Sequence, residues 1–257
     1  MKNIFALILL LFSANLLFAL QDDRLDDFSF ESSELKHEST PYFAIAGGAT
    51  FTFQFANFDE VNSLLTTKNF GTDEFSGQVN LWGGEGFTGL VYIPNMRAGF
   101  FSYGGSKTVS GEFEANAALI NREVEYRVGI TGISLEYALV PLKSFAVVGG
   151  VSLGRGDLSV STFETPSESG WNDYNPEVDP YNFTNTISTN YWLVKPNIHL
   201  EYALTNFLMF RVGASYNLTF GTDWKQNNNS TLNGVPDAMN ANALQIQAGI
   251  FVGLFNY

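Results

Sequence analysis

The feature that most constrains this chain is a one-for-one alternation of apolar and polar residues over two arms joined by almost nothing. Between Thr184 and Gly221, the first arm sets Trp192, Val194, Pro196, Ile198, Leu200, Tyr202 and Leu204 against Tyr191, Leu193, Lys195, Asn197, His199, Glu201 and Ala203. After Thr205 and Asn206, the second sets Leu208, Phe210, Val212, Ala214, Tyr216, Leu218 and Phe220 against Phe207, Met209, Arg211, Gly213, Ser215, Asn217 and Thr219. Successive side chains of a strand point to opposite faces, so period two predicts a hairpin of two long strands. One face is a broad apolar band ending in aromatics; the other is small, amide-bearing or charged. In lipid that pattern is a barrel strand, apolar outward and polar inward.

The ends and the composition fit an exported chain. Lys2, an apolar run from Ile4 and a small residue at Ala19 ahead of polar residues mark 1–19 as a signal peptide. Residues 20–40 carry Asp22, Asp23, Asp26, Asp27, Glu31, Glu34 and Glu38 without sustained periodicity, and are expected to form an acidic periplasmic lead-in. No later segment approaches the roughly 20 continuous apolar residues of a membrane helix, although aromatic residues make up 15% of the chain and charged ones only 15%. A helical membrane protein is excluded and a barrel is not, because alternation cancels hydropathy in the mean. The absence of cysteine removes both a disulfide framework and a lipidated N-terminal Cys. A net charge of −13 argues against nucleic acid, whose phosphates need a basic surface.

Reading 41–257 in order gives eight strands at about 42–57, 75–92, 96–110, 123–139, 145–163, 184–204, 207–221 and 243–257. Their connections alternate long and short, which keeps both ends on the periplasmic side and the long loops outside. The expected fold is all-β, an eight-stranded antiparallel up-and-down transmembrane β-barrel. Within the first long loop, Phe58, Val61, Leu64, Leu65 and Lys68 recur at helical spacing behind Asn57 or Asp59 as a cap, predicting a short helix packed over the barrel rim. Two glycine-containing runs coincide with a change of phase: Gly83–Gly86 predicts a β-bulge or a sharp coil of the sheet, and Gly129–Gly132 a bulge. Gly83 and Gly86 faintly match a phosphate loop, but no Lys-Ser/Thr pair or helix follows. Residues 111–122 fit either a loop or a continuation of the third strand. Leu135-Glu136-Tyr137-Ala138-Leu139 recurs as Leu200-Glu201-Tyr202-Ala203-Leu204, an offset of 65 residues, which two equivalent hairpins would explain.

With the signal peptide, eight alternating strands and a last strand ending Phe255-Asn256-Tyr257, the chain resembles the small eight-stranded outer-membrane β-barrel proteins of Gram-negative bacteria. The resemblance is architectural, covers about 41–257 and implies a porin-like barrel in the bacterial outer membrane. It also implies outer-membrane lipid and the barrel-insertion machinery as partners, with Phe255 and Tyr257 as the insertion signal. The chain departs from the pattern in that Ile250, Val252 and Leu254 make the cleaner lipid face, out of phase with Tyr257.

An eight-stranded barrel is only wide enough for side chains to fill it, and charges inside must be compensated. Glu136, Lys195, His199, Glu201 and Arg211, with Arg97 and Arg127, are therefore expected to form a lumen polar network. His199 with Glu201 and a Ser215 nucleophile would suit a lipid-modifying enzyme, but these residues lie near the periplasmic turn, far from the outer leaflet. His37 is the only other histidine, and Asp173, Glu177 and Asp179 lack the spacing of a calcium loop, so no catalytic, cofactor or metal residue is assigned. Two readings follow. One is a non-enzymatic structural or surface-interaction barrel whose loops, with Trp171, Tyr174 and Trp224, meet surface partners. The other binds or transports a small apolar molecule through a gap beneath the loop-one helix. A soluble barrel is the rival fold, and it would need the apolar face inside.

Overall fold

Alternation becomes a ring of strands in the structure, a computed structural model that describes residues 42–115, 118–166 and 183–256. The strands are β1 (Phe43–Ala56), β2 (Val79–Gly89), β3 (Met96–Ala115), β4 (Ala118–Leu142), β5 (Phe145–Pro166), β6 (Phe183–Thr205), β7 (Leu208–Phe220), the two-residue β8 (Lys225–Gln226) and β9 (Ser230–Thr231), and β10 (Ala243–Asn256). Neighbours in sequence pair antiparallel from β1 to β7, β10 pairs with both β7 and β1, and the ring closes; β8 and β9 extend the sheet beside β6. The fold is the expected eight-stranded up-and-down barrel with one short helix near the first loop. The signal peptide and acidic lead-in lie outside the described residues.

The two expected bulges are absent. The register of β1 with β2 runs without a shift from Ile45–Thr88 to Gln54–Val79, and β4 pairs in phase with both neighbours through Gly129–Gly132. The strands keep their faces and the surroundings change instead. In the lower part of β4, Ile133, Leu135, Tyr137 and Leu139 point outward and are exposed, while Glu136 and Ala138 are buried inside. Higher up, the inward residues Val124, Tyr126, Val128 and Ile130 are buried, and Glu123 and Arg127 stand outside. On β5 the same exchange takes the outer face from Val151 and Leu153 to Arg155 and Asp157, and the inner face from Ser152 to Leu158 and Val160. The barrel is thus apolar outside and polar inside below this level, and the reverse above it.

Below the exchange, large apolar side chains from all around the ring are left uncovered, among them Phe53, Phe100, Ile133, Leu153, Ile198, Val212 and Ile250. Soluble monomers rarely expose so much contiguous apolar surface, and a bilayer supplies the apolar phase it needs. Tyr137 and Tyr202 lie toward one edge of the belt, Trp82 and Trp192 toward the other, as amphipathic rings do at membrane interfaces.

Above the belt, β3 to β6 continue while β1, β2, β7 and β10 stop, which resolves residues 111–122 largely as strand. The short side is covered by α1 (Asp59–Thr67). Neither Asn57 nor Asp59 is the cap: Phe58 holds that position without a side-chain cap hydrogen bond, while Asn57 Oδ1 accepts the Asp59 N–H at 2.8 Å, and Asp59 and Glu60 put negative charge in the first turn, where the helix dipole favours it. Val61 and Leu65 face down into the lumen. There Phe58 stacks on Phe75 at 5.3 Å between ring centres and meets the edge of Tyr126 at 5.1 Å. Asn62 fixes Phe75 from both sides, accepting its N–H at 2.8 Å and donating to its carbonyl at 2.9 Å. Trp224, expected as a surface aromatic, is instead only 6% exposed and completes this core with Met239 and Ala241. Its loop folds back over the lumen because the short wall leaves apolar side chains to cover.

Truncating Phe58 to Ala is expected to cost about 3–5 kcal/mol of unfolding free energy, as for buried aromatics generally. The half-exposed Leu64→Ala is expected to cost about 0.5 kcal/mol. Denaturant unfolding of the barrel in lipid, followed by tryptophan fluorescence, measures both.

Candidate functional site: an ionic layer in the lumen

The lower lumen collects charge because the inward positions of five strands carry it. Arg97 on β3 lies directly across from Glu136 on β4, and Arg211 on β7 directly across from Glu201 on β6. Arg97 Nε donates to Glu136 Oε2 at 2.7 Å, and its Nη2 lies 2.8 Å from Glu201 Oε1. Arg211 Nη2 lies 2.8 Å from the same Glu201 oxygen, and its Nη1 donates to Glu85 Oε2 on β2 at 2.5 Å. Glu201 therefore bridges two guanidinium groups, a geometry in which the planar fork of arginine suits a carboxylate. Tyr42, just ahead of β1, accepts from Arg97 Nη1 at 2.8 Å. His199 Nε2 stands 3.4 Å from Glu136 Oε1.

Aromatic faces supply the rest of the packing. Arg97 lies over the Phe87 ring at 4.1 Å, and Arg211 over Phe251 at 4.1 Å and Phe87 at 4.7 Å. Two glycines make room: a Cβ at Gly48 would collide with the Phe251 ring, and one at Gly213 with the ring of His199. Lys195 sits higher, its ammonium 3.9 Å above Phe101 and donating to the Tyr103 hydroxyl. Glu85, Glu136 and Glu201 are thus matched in number by Arg97, Arg211 and Lys195.

Of the residues singled out in the sequence, Glu136, Lys195, His199, Glu201 and Arg211 all point inward and are buried. The structure brings four of them together and holds Lys195 apart with Tyr103. Arg97 lies at the centre of the cluster, whereas Arg127 is on the exposed outer wall. Glu85 and Tyr42 were not foreseen. Glu85 shares parity with Leu81 and Phe87, and treating its glycine-containing run as in phase would have placed it inside. Phe255 is buried in the lower lumen, on the opposite face from the belt residues Val252 and Leu254; Tyr257 lies outside the described residues.

Among the described residues, His199 makes no hydrogen bond to Ser215. Register sets His199 against Gly213 and Ser215 against Asn197, and the Ser215 hydroxyl donates to Gln245 Oε1 at 3.2 Å. Among the described residues no cluster of His, Cys, Asp and Glu is arranged to hold a metal ion. Asp173, Glu177, Asp179, Trp171 and Tyr174 lie outside them. A cavity of about 10 Å³ borders Ser152, Lys195, Asn197 and His199, room for about one water molecule.

The sequence matches no family model and no curated protein. In structure the chain is similar to a major outer membrane protein from Thermus thermophilus, with 10% identity and a TM-score of 0.47 over 82% of this chain and 99% of that one. It is similar to Ail, the attachment invasion locus protein of Yersinia pestis, with 8% identity and a TM-score of 0.32 over 84% and 99% of the two chains. It is similar also to the outer membrane protein OprG from Pseudomonas aeruginosa, with 13% identity and a TM-score of 0.37 over 84% and 95%. At these levels the barrel assignment stands on the strand pairing of the chain itself: an outer-membrane-type β-barrel with a side-chain-packed interior.

Arg97→Met strips Glu136 of its arginine and Glu201 of one of its two, and is expected to cost about 3–5 kcal/mol. Gly213→Ala, which forces His199 from its place, is expected to cost about 1–3 kcal/mol. Equilibrium unfolding in the same lipid checks both, and near-wild-type stability of Arg97→Met would mean that the layer does not hold its charges together.

Proposed function

We propose that this protein is an integral outer-membrane barrel with a closed lumen that acts without catalysis, as a structural element presenting its long loops to surface partners. The observation that carries this reading is the combination of an uncovered apolar belt with an interior packed through both halves, ionic below and apolar above. An open pore needs a lumen free of bridging side chains, and here Arg97 and Arg211 span from wall to wall. Outer-membrane lipid would cover the belt and the barrel-insertion machinery would deliver the chain, with Phe255 and Tyr257 as the C-terminal signal. The extended β3–β6 wall supports the surface role, since it lifts a polar face well clear of the apolar belt.

Transport of a small apolar molecule beneath α1 is disfavoured by what lies there: Phe58, Val61, Leu65 and Phe75 fill the space against Tyr126. A lipid-modifying activity is disfavoured because the Ser215 hydroxyl donates to Gln245 while His199 meets Glu136 and Gln247.

The folded protein is expected to sediment with outer membranes, to shift in gel mobility on boiling in detergent, and to give no stepwise conductance in planar bilayers. Polar substitutions at Val61 and Leu65 should lower stability and leave uptake of small apolar solutes unchanged. A soluble protein without a heat shift would contradict membrane insertion. Uptake that follows those substitutions would establish the transport reading instead.

A further inference from the structure

Above the ionic layer, one side of the lumen is polar over its whole height while the rest turns apolar. On β1 the inward side chains Thr50, Thr52 and Gln54 rise in line. Beside them stand Gln247 and Gln245 on β10, then Ser215 and Asn217 on β7. Gln245 Nε2 donates to Gln54 Oε1 at 2.8 Å. At the bottom, Gln247 Nε2 donates to Glu85 Oε1 at 3.2 Å and lies 3.4 Å from His199 Nδ1, so the stripe begins in the ionic layer. At the top, Asn242 Oδ1 accepts both the Thr219 N–H at 2.7 Å and the Thr219 hydroxyl at 2.9 Å, and both residues are partly exposed. The stripe therefore reaches the loop-end rim beside the apolar core under α1.

What these hydrogen bonds leave over marks a site. Gln54 Nε2, Asn217 Oδ1, Gln247 Oε1 and the hydroxyl oxygens of Thr50 and Thr52 are buried without a partner in the protein, on side chains no more than 2% exposed. Asn197, itself only partly buried, likewise leaves its Oδ1 without a partner and borders the small cavity that touches His199. Buried polar groups are rarely left unmet, and here they crowd one wall. They include a donor and several acceptors and carry no charge. An apolar ligand would leave them unpaired, and an ion would find no counter-charge among them. A small neutral molecule that both donates and accepts satisfies them, and the cavity of about 10 Å³ at the inner end, beside Glu85, Asn197 and His199, has room for about one water molecule.

Among the described residues, the opposite end offers no such route. Ala44, Ala138, Ala146, Val148, Met209 and Phe255 close the lumen below the ionic layer. We propose that the β1–β7–β10 stripe binds a file of water molecules that connects Glu85 and His199 with solvent at the loop end, and with that end alone. The site depends on the reading as an outer-membrane protein only for which compartment supplies the water.

His199 is the sole histidine beyond His37, so its imidazole C2–H reports solvent at the inner end of the stripe. Deuterium exchange at that carbon, read by mass spectrometry on the full chain in lipid nanodiscs, is expected to be measurable in the wild type. Gln54→Leu with Asn217→Leu should slow it about tenfold or more, roughly the effect of one lost hydrogen bond of ordinary strength. Exchange at His37 should be unchanged, and heat-shifted gel mobility verifies that the barrel is intact. Should the double variant fail to fold, the near-isosteric Thr52→Val replaces it, with slowing in the same direction. Asn217→Ser, which keeps a hydrogen-bonding side chain, should retain the wild-type rate. A wild-type His199 that does not exchange, or apolar variants that exchange as fast as the wild type, would overturn the proposal.

Discussion

Closure of the backbone hydrogen bonds is the constraint on which everything else in this molecule depends. Hydrocarbon offers no partner to an unpaired N–H or C=O, so strands cross it only in a ring without edges. The last strand and the first provide the closure, paired without a break from Phe43–Asn256 to Ala56–Ala243. The β6–β7 ladder skips Lys195 and Pro196, where proline has no N–H to give, and resumes at Asn197–Ser215 in the same register. Pro196 remains aligned with Val151 of β5, so the gap is confined to one side of the strand.

Closing eight strands leaves an interior that side chains must fill, and the medium outside decides how. Where lipid covers the wall, the apolar side chains face out and the interior is left with charge and amides. Pairing then becomes obligatory, and it is met by carboxylates and cations in equal number locked between aromatic rings. Where water covers the wall, the outer face is hydroxylated and charged, and the interior becomes an ordinary apolar core completed by α1 and by Trp224. One chain thus contains an inside-out barrel and a conventional one, stacked on the same strands and separated on β5 between Leu153 and Arg155.

Much of this is legible in the sequence. Strand number, strand parity and the loop-one helix follow from period two and period 3.6, because a side chain facing lipid and its neighbour facing the lumen differ so strongly in chemistry. The phase changes at Gly83–Gly86 and Gly129–Gly132 are visible there too, but they are not bulges. A bulge and a change of surrounding medium leave the same mark on a single strand. They differ in what the neighbours do: β4 exchanges its apolar face near Ile133 and β5 near Leu153, which lie opposite one another, and two strands switching at one level indicate a boundary rather than separate defects. Reading the change of phase as a bulge also hides Glu85. Trp224 and the convergence of Glu136 and Glu201 on Arg97 are beyond reach from the sequence, since both depend on loop closure and barrel stagger, which local alternation does not encode.

The exchange of media across the strands is the central claim, and β5 offers its most direct test because the chain contains no native cysteine to interfere. Single cysteines at Val147, Val151, Leu153, Arg155, Asp157 and Ser159 would carry nitroxide labels on the outer wall of the barrel reconstituted in bilayers. Collision with oxygen reports hydrocarbon, and collision with a water-soluble nickel chelate reports solvent. Labels up to 153 are predicted to be oxygen-accessible, and those from 155 upward nickel-accessible. Nickel access at every position would contradict the exchange, because the apolar face would then be standing in water.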